Sequence, residues 1–273
     1  MLFGFLTGFK ENRVGLSGRK YVIKELRSVS KKLVSVFTIV VLLVSLFPHL
    51  GTGIVTANDK SDSDEDLILW YSFDQTSGTT VIDQSGSGND GTFEGGASWQ
   101  AGYIGNAVDL NGRDGYVNLP DGLLQNVDNV TISAWVKVDQ ARNFQRIVDF
   151  GVDTSKNMFL TPHSTHSDAS GLMFGITTRG NTQEDRIAKG TAIETNIWTH
   201  VALVIDGSTG LLYENGVEVA RNDSLRLKPS DLGETVQNYI GKSIYAADPY
   251  LDGQIDDFRI YRRALNKSEI KDL

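Results

Sequence analysis

Two adjacent carboxylates, Asp256 and Asp257, interrupt an apolar run near the C-terminus, QIDDFRIY, where Ile255, Phe258, Ile260 and Tyr261 flank them. If this run is extended, alternate side chains share a face, so Asp256 stands with Phe258 and Ile260, and Asp257 with Ile255, Arg259 and Tyr261. One carboxylate then leans toward an apolar side. That is costly unless a cation, a metal ion or backbone N–H donors meet it. The other acid clusters, Glu184-Asp185 and the DSDED run of residues 62–66, lie in loop-like sequence and read as solvated charge. His163 and His166, in HSTHSD, have an aspartate nearby, but histidines in a polar loop are more often surface residues than metal ligands. Cysteine is absent, as are a Gly-x-Ser-x-Gly elbow and a phosphate-binding glycine loop. No catalytic residue is assigned.

Recognition of a neutral ligand needs less: aromatic faces against C–H surfaces, and amide, carboxylate or guanidinium groups for hydroxyls. Aromatics outside clear strand interiors are Trp99, Tyr103, Phe144, Tyr245 and Tyr250, with His163, Arg179 and Asp248 as polar company. Tyr245, Tyr250, Arg179 and His163 are the expected ligand contacts. Trp135 and Trp198, in alternating runs, are expected in the core, and Trp99 and Tyr103 on a sheet edge.

These residues must be held by a chain of 273 residues with net charge −8. Residues 1–57 carry eight basic and two acidic residues, so the remainder is more acidic than the total suggests. An acidic body repels phosphate backbones and anionic membrane surfaces, which excludes nucleic acid as an expected partner. Lys31-Lys32, an apolar run from Leu33 to Phe47, and small residues at Val55-Thr56-Ala57 have the layout of a secretory signal, giving residues 1–57 as signal peptide. The alternative is a retained anchor, although a spanning helix needs about 20 apolar residues. Without cysteines an exported protein has no disulfides, and its stability comes from its core.

Residues 58–66 read as an acidic linker, and from Leu67 onward the pattern has period two: LILWYSFD, VTISAWVKV, GLMFGITT, WTHVALVID and QIDDFRIY are examples. Turn signals separate these runs, the strongest being Asn215-Gly216. Only NKSEIKDL reads as helix, with Asn266 as N-cap and Glu269 at its third position. The expected fold class is all-β, a two-sheet antiparallel sandwich over residues 67–273, preceded by an N-terminal signal or anchor helix.

VTISAWVKV, WTHVALVIDGSTGLLYENGVEVA and YIGKSIYAADPYLDGQIDDFRIYRRALNKSEI, in that order, resemble the bacterial laminin-G-like jelly rolls of the concanavalin A-like lectin and glucanase superfamily. LILWYSFDQTSGTTVIDQSGSGNDGT and GNAVDLNGRDGYVNLP fit the same pattern. The resemblance implies two antiparallel sheets with the first and last strands as neighbours, and similarity to modules attached to secreted arabinofuranosidase-like and xylosidase-like glycosidases. It also implies a structural calcium ion at the sandwich edge, with Asp74, Asn89 and Asp256 at the matching positions and Asp257 as a replacement or addition. Calcium takes roughly 6 to 8 oxygen ligands, and glycine-rich loop carbonyls would complete the set. The competing reading is that these aspartates accept backbone N–H groups from turns. Catalytic relatives resemble one another in a Glu-x-Asp-x-x-Glu strand motif, which this chain lacks. The expected function is therefore a secreted, non-catalytic carbohydrate-binding module for a plant-type polysaccharide, part of a glycoside hydrolase system. A different class, an extracellular adhesion or protein-interaction domain, fits the same fold.

Overall fold

The computed structural model describes residues 65–273; the expected signal peptide and most of the acidic linker lie outside them. Strands follow in chain order as β1 (Leu67–Tyr71), β2 (Thr80–Val81), β3 (Gly91–Glu94), β4 (Ser98–Ala101), β5 (Asn106–Asn111), β6 (Tyr116–Asn118), β7 (Val130–Val138) and β8 (Val148–Asp153). They continue as β9 (Lys156–Thr165), β10 (Ser170–Thr177), β11 (Asp185–Ala188), β12 (Thr199–Asp206), β13 (Thr209–Glu214), β14 (Val217–Asn222), β15 (Gln237–Ile240) and β16 (Asp252–Tyr261). A short helix, α1 (Lys267–Lys271), ends the chain. One sheet has the order β14-β13-β12-β7-β16-β5-β4, with β1 also paired to β16; the other runs β11-β10-β9-β8-β15-β6-β3-β2. First and last strands are antiparallel neighbours.

The core forms where the alternating apolar residues of the two sheets face each other. Ile132, Ala134, Val136, Ile255, Phe258 and Ile260 come from the first sheet, and Val148, Phe150, Met158, Leu160 and Phe174 from the second. Each of these side chains other than Ala134, buried completely, contributes about 1.5–3 kcal/mol. Local signals decide where strands turn. Asn215 and Gly216, at φ 50° and 73°, occupy the left-handed region that a tight hairpin requires and that Asn and Gly tolerate best. At α1, the Asn266 side chain accepts the N–H groups of Ser268 and Glu269, and Glu269 reaches back to the Asn266 N–H.

Strict alternation fails at Asp257. Between Asp256 and Arg259 the pairing of β16 with β7 shifts, Asp256 facing Trp135 and Arg259 facing Ser133, so β16 holds one residue more than its partner. Asp257 sits in this bulge at φ 49°. On the opposite edge of β16 the neighbour changes there too, from β5 to β1. The bulge returns Phe258 and Ile260 to the core face of Ile255 and leaves Asp256 on the outer face beside Trp135. This corrects the placement of Asp256 on the face of Phe258 and Ile260. Trp135 is corrected likewise: Ala134 and Val136 point inward, and Trp135 stands outside, its ring stacked under Tyr103 at 3.5 Å. Trp198 precedes β12 and lies 6.3 Å from Tyr103, part of the same outer cluster rather than the core. Trp99, on edge strand β4, packs against Phe93 and Phe73 as an edge residue should.

Candidate functional site

The outer face of the second sheet carries a hollow of about 110 Å³ lined by Phe144, Arg146, Phe159, His166, Asn181, Glu184, Tyr245 and Asp248. Its floor is Arg146, whose side chain is 3% exposed. The guanidinium lies 4.0 Å above the Phe159 ring and donates to Asp149 (3.1 Å), Asp248 (2.9 Å) and the Phe144 carbonyl (2.6 Å). Three of its five N–H groups are thereby held in a fixed fork, and the arrangement orients the remaining two.

Each wall has an identifiable support. Phe144 is at φ 62°, a left-handed conformation that strains a bulky residue; its N–H is fixed on the His163 carbonyl, and its ring lies 5.0 Å from His166. The β15–β16 loop contributes Tyr245 and Asp248. The Tyr245 hydroxyl donates to the Thr154 carbonyl at 2.7 Å, which turns the ring into the wall, and Ser243 Oγ donates to Asp248 at 2.8 Å. Glu184, with a side chain 2% exposed, accepts from Arg186 at 2.7 Å, and Arg186 also pairs with Asp168. The bare backbone of Gly175 admits Glu184 and Phe159 together, since a Cβ there would lie 2.9 Å from each.

Asp149, fully enclosed behind Arg146, has its carboxyl pushed up to about 6: burial outweighs the attraction of Arg146 and the N–H of Ile244. The geometry agrees. One guanidinium serves two carboxylates, and Asp149 Oδ1 has no hydrogen-bond partner. Glu184 and Asp248 are each committed to an arginine, so the hollow offers acceptors for hydroxyls, a fixed cation and ring faces.

Of the expected ligand contacts, Tyr245 lines the hollow. Tyr250 lies 6.2 Å from Tyr116, farther along the same loop. His163 supports Phe144 through its backbone but does not line the hollow, and Arg179 lines a separate depression with Thr178, Gln183, Arg226 and Leu227. Phe144 and Asp248, named as company, are walls. Glu184-Asp185, expected as solvated charge, instead has both side chains buried, each acid held by an arginine; Arg146 and Phe159 carry no local signal of their own beyond Arg146 and Asp149 inside the otherwise apolar RIVDF, since buried charges imply a partner.

The residues nominated for calcium divide between two places. Asp256 Oδ2 accepts the N–H of Ile104 at 2.9 Å, and Asp74 Oδ1 accepts that of Asn106 at 3.0 Å, so both grip the turn between β4 and β5. Asn89 belongs elsewhere, donating to the Ile68 carbonyl and, through its backbone, to Asp83. Asp257 accepts from the Trp70 indole at 2.6 Å and pairs with Arg259. Asp256 Oδ1 is buried without a partner, and burial pushes this carboxyl up to about 6.

Two antiparallel sheets in this order, with a polar and aromatic hollow on one outer face, define a lectin-type jelly-roll sandwich. The chain belongs to the concanavalin A-like lectin/glucanases superfamily, its Laminin_G_3 family matching residues 111–271. An α-L-arabinofuranosidase of Bifidobacterium longum is 28% identical over 231 residues, covering 78% of this chain and 21% of that protein. The chain thus spans about a fifth of that relative. Among solved structures, domain 4 of AbnA, a GH43 extracellular arabinanase from Geobacillus stearothermophilus, in complex with arabinotriose, is 26% identical. The match has a TM-score of 0.66 and covers 76% of this chain and 97% of that domain. A sialidase of Trypanosoma rangeli shares the fold alone, at 18% identity and TM-score 0.54, over 76% of this chain and 32% of the enzyme.

Proposed function

We propose that residues 67–273 form a secreted, non-catalytic carbohydrate-binding module that takes an arabino-oligosaccharide in the Arg146 hollow and serves an arabinan-degrading glycoside hydrolase. The observation that carries the reading is the immobilised Arg146, set against an aromatic face with Glu184 and Asp248 in the walls: fixed donors, fixed acceptors and ring faces converge on one hollow. Similarity to an extracellular arabinanase domain solved with arabinotriose supports the sugar class and the extracellular setting. The non-catalytic part rests on chemistry. Glycoside hydrolysis needs one carboxyl group free to protonate the leaving oxygen and a second free to attack or activate water. Here Glu184 and Asp248 are held by Arg186 and Arg146.

Calcium belongs to the same proposal. Asp256 Oδ1, buried and without a partner, is the nominated oxygen with capacity for a cation, and Asp74 converges on the same turn. A bound ion would fix that turn and neutralise the buried carboxylate.

Affinity electrophoresis of the full chain through gels containing arabinan, xylan, arabinoxylan or fructan, with calcium and with chelator, tests the reading. Retardation by arabinan is the expected result, and loss of retardation in Arg146→Met assigns it to the hollow. Unchanged migration of folded protein in every gel overturns it.

A further inference from the structure

The hollow occupies one end of its sheet face. Across the strands Phe159 of β9 pairs with Asp149 of β8, Asp149 with Tyr239 of β15, and Tyr239 with Asn118 of β6. Ile240 and Val117 are buried in the core, so their neighbours Tyr239 and Tyr116 project onto the face that bears the hollow. There the two tyrosine rings meet edge to face at 5.4 Å, Tyr250 adds a third ring 6.2 Å from Tyr116, and Lys242 Nζ rests 4.2 and 4.3 Å over Tyr116 and Tyr239. All four side chains are half-buried, with surface left for a ligand. One loop supplies both ends, bringing Lys242 and Tyr250 to the tyrosines and Tyr245 and Asp248 to the hollow. From β9 to β6 is three strand spacings, about 14 Å, which exceeds any single sugar ring.

We propose that Tyr116, Tyr239, Tyr250 and Lys242 form a second subsite on the same sheet face, separated from the hollow by the loop segment at Ser243 and Ile244 that covers Asp149, so that this face binds an extended run of a neutral polysaccharide rather than a chain end alone. The inference rests on the hollow being a sugar site. Aromatic rings cover C–H faces of successive residues, and the ammonium donates to hydroxyls between them.

The test is calorimetric titration of the full chain with arabinotriose and with a linear arabino-oligosaccharide of six residues. Affinity for the longer ligand is expected to exceed that for arabinotriose by about tenfold. Tyr116→Ala and Tyr239→Ala should each lower affinity for the longer ligand by about two- to tenfold, with arabinotriose binding unchanged, while Tyr239→Phe keeps both affinities. Tyr250→Ala, in a loop, carries the same test if a strand variant fails to fold. Equal wild-type affinity for the two ligands overturns the second subsite and leaves the hollow standing. So does a longer-ligand affinity unmoved by the alanine variants, or a loss shared equally by arabinotriose. Binding of neither ligand overturns the subsite and the sugar reading together.

Discussion

Asp149→Asn isolates the electrostatics of the hollow. In the wild type, burial raises the folded-state pKa of Asp149 to about 6 against 3.8 for the ordinary group. A folded state that holds the proton more tightly is favoured below the unfolded pKa and loses that advantage as pH rises through the folded one. At about 1.4 kcal/mol per pKa unit, the shift predicts a total loss of about 3 kcal/mol between pH 3 and pH 7, about 2 kcal/mol of it between pH 4 and pH 6. Asparagine keeps the shape, can accept from Arg146 and Ile244 through its amide oxygen, and does not titrate. The variant should match wild type near pH 3 and exceed it by about 3 kcal/mol at pH 7, which is roughly 6–12 °C in midpoint for a domain of this size. Thermal unfolding across pH 3–8, followed by tryptophan fluorescence, reads this directly. Parallel curves for the two proteins, or a variant less stable at pH 7, would show that Arg146 wins over burial and would refute the reasoning.

Phe144→Gly removes both a strained conformation and a wall: thermal unfolding should show relief of about 1–3 kcal/mol of backbone strain, partly offset by lost ring contacts, while calorimetry shows weaker arabinotriose binding. Asp256→Ala takes the acceptor from the Ile104 N–H; the midpoint should fall, and stabilisation by added calcium, where wild type shows it, should vanish. A variant that responds to calcium as wild type does removes Asp256 from the ligand set. Asn215→Ala places alanine at φ 50° and should cost about 1–2 kcal/mol in denaturant unfolding; an unchanged midpoint would mean the hairpin relaxes to another turn.

Features decided within a few residues were legible. The Asn215-Gly216 hairpin and the Asn266 cap depend on the conformational preferences of those residues, and period-two alternation located most strands and their inward faces. Trp135 was legible too, on a closer reading of parity: it alternates in phase with Ser133 and Lys137, and a face shared with lysine is an outer face. The hollow was harder, because its parts come from residues 144–166, 181–184 and 245–248, brought together by cross-strand pairing that no local signal encodes. Loop aromatics such as Phe144 and Tyr245 could be nominated singly, but Arg146 and Phe159 sit in stretches that resemble plain core strand.

The carboxylate pair at the end of the chain shows why alternation misled where it did. An aspartate accepts a left-handed backbone more readily than a branched or bulky residue, and Asp257 takes φ 49° at the point where β16 exchanges β5 for β1. The bulge turns both carboxylates from the core to separate tasks. Asp256 holds the Ile104 N–H of the β4–β5 turn, and Asp257 ties the Trp70 indole of β1 to Arg259. The pair therefore joins the first strand, the last strand and the turn that lays Tyr103 over Trp135. In this chain the carboxylate doublet marks a break in register, because a regular ladder would turn one of the two acids toward the core, where its charge is costly. The period of the run should be read as restarting after the second acid.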